Sequence, residues 1–157
     1  MALLREGTPA PGFELPASMG GTVKLSSFKG KSAVVLYFYP KDNTPGCTRE
    51  ACSFRDLEAE FAEAEAAILG VSADSLASHE KFSDKCGLNF PLLSDEDTKV
   101  STAYGAWGEK TMYGRKFQGM TRTTFLIDKD GVLRKVWPKV KVDEHADEVL
   151  ASVKSLG

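Results

Sequence analysis

Two cysteines, Cys47 and Cys52, sit five residues apart in NTPGCTREACS (43–53). Cysteine at a helix start is a candidate nucleophile. The first N–H groups of a helix lack partners and carry a partial positive charge, so a thiolate placed there is stabilised. The same residues could equally be small apolar packing groups. In an ideal helix, positions five apart have Cα atoms roughly 8–9 Å from each other and about 140° apart around the axis. A disulfide wants Cα atoms within roughly 7 Å. The two sulfurs therefore join only if the first turns of the helix open, and frayed first turns open cheaply. Such a spacing suits a switch better than a static brace.

Other cysteine chemistries fit less well. Thioredoxin-type exchange uses C-x-x-C, whereas this spacing is C-x-x-x-x-C. Structural zinc wants four N/S ligands. The chain has three cysteines and two histidines, and His79 and His145 fall on other predicted helices. A Cys–His pair would need one of those histidines beside Cys47, and nothing in the sequence brings it there. Cys86, in SDKCGLN beside a helix stop, reads as a structural or incidental thiol.

The elements that must position these residues follow from hydrophobic patterning. FEL (13–15) and TVKL (22–25) predict an N-terminal hairpin. AVVLYFY (33–39) is a strand buried on both faces, stopped by Pro40. PKDNTPG is a turn-rich loop, with Asn43 or Thr44 as the cap of the next helix and Pro45 in its first turn. Apolar residues at 51, 54, 57, 61 and 64 give a long amphipathic helix. AAILGVSA (66–73) is a second buried strand. A helix over 75–87 ends at Gly87. A short strand at 90–95 and a short helix at 97–105 follow. TRTTFLID (121–128) and VLRKVW (132–137) flank an Asp-Gly hairpin turn in DKDG. Residues 143–156 form a last amphipathic helix. The order predicts an α/β fold with a central mixed β-sheet, helices on both faces and an N-terminal β-hairpin. The Asp-Gly hairpin disfavours the alternative of an all-parallel flavodoxin-like sheet.

Bulk properties narrow the class. The 157 residues suit one domain, 1–157, with 42% hydrophobic and 27% charged residues. A net charge of −2 gives no basic footprint for nucleic acid. The apolar run at 33–39 is too short to cross a bilayer, and the N-terminus lacks a signal-peptide pattern. Three cysteines are no disulfide scaffold, so a reducing compartment, the cytoplasm, is expected.

YFYPKDNTPGCTREACSFRD (37–56) resembles the active-site segment of the peroxiredoxins, and most closely their bacterioferritin-comigratory-protein, or peroxiredoxin Q, branch. The Pro-x-x-x-Thr-x-x-Cys motif is met by Pro40, Thr44 and Cys47. A cysteine five later, Cys52, marks the branch members whose resolving residue lies in the same helix. GVSADSLASHEKF (70–82), FPLLSDED (90–97) and TMYGRKFQGMTRTTFLIDKDGVL (111–133) are similar to the same branch, so the likeness covers essentially the whole chain.

The resemblance implies a thioredoxin-like fold and a thiol peroxidase acting on hydrogen peroxide and alkyl hydroperoxides without metal, haem or other cofactor. It implies Cys47 as peroxidatic nucleophile, Cys52 as resolving residue, and a Cys47–Cys52 disulfide opened by thioredoxin or glutaredoxin. Arg122 matches the family's active-site arginine, Thr44 and Pro40 its other pocket residues, and Glu50 a position that orients the arginine. The branch is often monomeric. Some members carry the resolving cysteine in the second helix, directly after the Phe of the HEKF-like stretch, where this chain has Ser83. Two other functions stay open. One is a general thiol-disulfide oxidoreductase. The other is a non-catalytic redox-sensing module, oxidised stoichiometrically without turnover.

Overall fold

The computed structural model describes residues 4–156, the side chain of Met112 apart. The ends of the expected 1–157 domain, including the first residues of the segment read as lacking a signal peptide, lie outside the described residues. The central sheet has five strands: β3 (Ala33–Phe38), β4 (Ala66–Ser72), β5 (Leu92–Ser94), β8 (Thr123–Ile127) and β9 (Leu133–Trp137). Their spatial order is β5-β4-β3-β8-β9. β3, β4 and β5 run parallel, whereas β8 and β9 are antiparallel additions. The expected mixed sheet is thus present, and Gly131, at φ 81°, completes the turn between β8 and β9. The N-terminal hairpin is β1 (Glu14–Pro16) against β2 (Thr22–Lys24).

Every residue of β3 is buried, and its alternating side chains feed two cores. Val35, Tyr37 and Tyr39 pack with Phe54 and Phe61 of α1 (Pro45–Glu63), Phe82 and Cys86 of α2 (Leu76–Cys86), and Val149 and Val153 of α4 (His145–Lys154). Val34, Leu36 and Phe38 pack on the other face with Leu15, Tyr104, Met120 and Phe125. There α3 (Lys99–Ala103) adds Val100. Burial on both faces explains why β3 reads as a continuous apolar run.

One element differs from expectation. Between α3 and β8 the chain makes a further hairpin, β6 (Trp107–Met112) against β7 (Arg115–Met120). Its turn residues Tyr113 and Gly114 both have positive φ, as a two-residue type I′ turn requires. β7 is exposed along most of its length. Its polar residues bury no face, so the hydrophobic alternation that betrays a strand is missing.

The loop from β3 to α1 is pinned by a buried polar cluster. His79 of α2 is fully buried; its Nδ1 lies 2.7 Å from Asp42 Oδ2 and its Nε2 2.9 Å from the Leu93 carbonyl. Tyr39 donates its hydroxyl to Asp42 Oδ1 at 2.6 Å, and Ser78 donates to Oδ2. The Asp42 amide donates to Asp74. Burial alone would push the Asp42 carboxyl up. The hydrogen bonds from His79, Tyr39 and Ser78 outweigh it and hold the group below its ordinary value. A carboxyl lowered in this way stabilises the fold above the usual carboxylate range, and that stability is lost as pH falls through its folded value.

Replacing His79 by Leu leaves a buried carboxylate without its main partner, a change that costs about 3 kcal/mol or more. Urea unfolding at neutral pH should show that loss. The Asp42→Asn protein should lack the part of acid destabilisation due to this group. A His79→Leu loss within experimental error of zero would contradict the latch.

Candidate active site

The site forms where β3 ends and α1 begins. Thr44 occupies the N-cap position of α1 and Pro45 the first turn, as the sequence suggests. Cys47 follows as the third helical residue and is 2% exposed. The Thr44 hydroxyl does not cap the helix. It donates to the Lys41 carbonyl at 2.9 Å, within the turn that Asn43, at φ 60°, closes. Its proton is thereby engaged, and its oxygen is left as an acceptor. Pro40 is exposed at the same loop.

Arg122 comes from far along the chain. β3 and β8 pair with Phe38 opposite Thr123, so the residue just before Thr123 lies beside the loop into α1. Its carbonyl accepts from the Val140 amide, which fixes the backbone there. The guanidinium then forks. Nη2 donates to Cys47 Sγ at 3.2 Å, and Nη1 donates to Glu50 Oε1 at 2.6 Å. Cys47 and Glu50 are three apart on one helix face, so a single planar cation spans both. Gly46 makes room, because a Cβ there would sit 3.1 Å from Arg122 Nη2.

Electrostatically the three groups lock one another. Burial disfavours the Arg122 charge, yet the Glu50 and Cys47 contacts more than restore it and hold the guanidinium above its ordinary value. Glu50 is 1% exposed, and its second oxygen, Oε2, is buried without a protein partner. Burial therefore pushes its carboxyl up to about 7, against the pull of Arg122. Tyr37 stacks on Phe54 with centroids 4.8 Å apart and crosses Gly70, where a Cβ would lie 2.9 Å from its ring and hydroxyl. Its hydroxyl is also buried without a partner.

The structure thus brings Cys47, Glu50 and Arg122 into direct contact, with Thr44 and Pro40 on the adjoining loop. Cys52 is half-buried, and all three cysteines are free thiols. Tyr104 packs in the second core and donates to the Pro11 carbonyl, whereas Tyr113 is almost wholly exposed at the hairpin tip. Asp42, Asp74 and His79 bring potential metal-ligand atoms within 4.8 Å of one another. Both His79 nitrogens already face protein acceptors, so this cluster reads as the loop latch. Sequence reasoning missed it because its members are separated by up to 37 residues. Its one local signal was a histidine at a core position of α2.

Comparison with known proteins identifies the family. Residues 7–136 match the AhpC/TSA family model. The chain is 51% identical to peroxiredoxin Bcp of Bacillus subtilis, over 96% of this chain and 95% of that one. A Xanthomonas campestris bacterioferritin comigratory protein, studied for its alkyl peroxide reduction activity, superposes with a TM-score of 0.87 at 45% identity, covering 92% and 91% of the two chains. A cysteine-to-serine mutant of Xylella fastidiosa PrxQ superposes with a TM-score of 0.92 at 38% identity, covering 99% of both. The chain belongs to the AhpC/TSA family and is a peroxiredoxin of the Bcp, or Q, branch.

The Glu50 carboxyl tests the electrostatics. A group raised to about 7 in the fold binds more protons than the unfolded chain between the ordinary carboxylate range and that value. Its contribution to stability therefore falls as pH rises to 7. Relative to Glu50→Gln, the wild type should lose on the order of 3 kcal/mol between pH ~4 and ~8. Parallel pH–stability curves for the two proteins would show that Glu50 titrates normally.

Proposed function

We propose that Cys47 is the peroxidatic nucleophile and that the Arg122 fork is its activating group. The contact that carries this reading is the guanidinium bonded to both Cys47 Sγ and Glu50. The Cys47 thiolate attacks one oxygen of hydrogen peroxide or an alkyl hydroperoxide. The O–O bond breaks, and the departing oxygen takes the electron pair and then a proton from solvent. Preorganised donors lower that barrier: Arg122 and the first-turn amides of α1, which have no helical partners. The Thr44 oxygen accepts the peroxide O–H, since its own proton is committed to Lys41. Products are water or an alcohol, and Cys47 sulfenic acid. No metal, haem or other cofactor enters the cycle.

Cys52 then attacks the sulfenic sulfur and expels water, once the first turns of α1 open. A reduced thioredoxin, or an equivalent dithiol protein, opens the Cys47–Cys52 disulfide by exchange. Such a reductant fits a reducing compartment, the cytoplasm. The alternative of a general disulfide oxidoreductase is less well supported. A cysteine only 2% exposed and bonded to an arginine admits a peroxide more readily than a protein disulfide.

Two substitutions test this. Arg122→Ala should lower the second-order rate of peroxide reduction by roughly 10²–10³-fold, the usual loss for one such donor. Arg122→Lys should recover only part of it, because an ammonium cannot fork to both partners. Unchanged peroxide rates in both would overturn the role. Cys52→Ser should leave the first oxidation of Cys47 intact and abolish thioredoxin-linked turnover; undiminished turnover would remove Cys52 from the cycle.

A further inference from the structure

Cys86 is the thiol that this cycle leaves unused. It closes α2, is buried, and belongs to the same core cluster against which Cys52 packs. Arg55 lies three residues after Cys52 on one face of α1. Its Nη1 donates to the Cys86 carbonyl. That face of α1 is therefore fastened to the C-terminal end of α2, with Cys52 beside Cys86. Burial, and then the charge and hydrogen bond of the neighbouring Cys52, push the Cys86 thiol up. Cys47 points about 140° away from Cys52 around the helix axis. With α1 intact, the cysteine in the core that Cys52 packs against on this face is Cys86.

We propose that Cys52 and Cys86 form a second disulfide site, across the α1–α2 contact, which takes over the oxidation generated at Cys47. This rests on the reading of Cys47–Cys52 as the first disulfide. The Cys86 thiol loses its proton to solvent, and its thiolate attacks Cys52 Sγ in that disulfide. The Cys47–Cys52 bond breaks, Cys47 leaves as thiolate, and a Cys52–Cys86 bond forms. No external oxidant or reductant is needed, because one disulfide replaces another. The direction follows from the fold. The first disulfide holds the start of α1 open, whereas the second joins two cysteines that the packing of α1 on α2 already places in one cluster with the helix closed. Refolding the first turns recovers their backbone hydrogen bonds and the Arg122–Cys47 contact. Cys47 is then ready for a second peroxide, with the first oxidising equivalent stored at the end of α2.

The test uses the full, reduced chain with one equivalent of hydrogen peroxide and no reductant. Samples are quenched over time with an alkylating reagent and mapped by peptide mass. The wild type should show Cys47–Cys52 first and Cys52–Cys86 later as the major linkage. Cys86→Ser should stop at Cys47–Cys52. With excess peroxide, the wild type should rapidly consume twice as many equivalents per chain as Cys86→Ser. A wild type that stays at Cys47–Cys52, with equal uptake, overturns the relay and leaves the peroxidase cycle standing. A Cys47–Cys86 linkage without Cys47–Cys52 overturns both the relay and the resolving role of Cys52. In Cys47→Ser, Cys52 and Cys86 should stay reduced on this timescale; linkage at the wild-type rate would overturn the relay in favour of direct oxidation.

Discussion

The site depends on one cation held between two anion-forming groups. Arg122 reaches Cys47 and Glu50 at once, and neither contact survives without the other elements around it. The β3–β8 register brings Arg122 to the loop. The first turns of α1 set Cys47 and Glu50 on one face. The side-chain-free Gly46 lets the guanidinium close. Burial raises the strength of each contact, because charges attract more in low dielectric, and it also makes an unpaired group costly. Glu50, with one oxygen paired and one orphaned, sits at that balance.

In the proposed cycle the same helix start serves two states. Folded, it aligns the amides, Cys47 and Arg122 for attack on a peroxide. Opened, it lets Cys52 reach Cys47. The Asp42–His79 latch lies on the loop just before it, tying that loop to α2 and to the β5 backbone. Opening can therefore be confined to the first turns of α1. Further along, Phe54 and Phe61 remain in the core and Arg55 stays bound to α2.

The apolar runs of β3 and β4, the long periodicity of α1 and the Asp-Gly turn after β8 made the central sheet legible from sequence. The β6–β7 hairpin escaped because its strands bury little and carry charge, so pattern had nothing to act on. The place of Cys47 in the first turn of α1, with Cys52 five residues on, was readable from local spacing. Arg122 was not: it meets Cys47 across 75 positions, and only family likeness pointed to it. The role of the Thr44 hydroxyl turned on the conformation of one loop, where the positive φ of Asn43 turns the backbone so that Lys41 competes for its proton. The nearness of Cys86 to Cys52 arises from helix packing, which residue spacing within α1 cannot express.

Amide hydrogen exchange along α1, compared between the reduced chain and the Cys47–Cys52 disulfide form isolated from Cys86→Ser, tests the two-state helix start most directly. In the reduced chain, amides from Thr48 to Ser53 should be protected. In the disulfide form they should exchange far faster, while those of β3, β4 and the second half of α1 keep their protection. Equal protection of Thr48 to Ser53 in both forms would mean that the two sulfurs join without the helix opening, which contradicts the account.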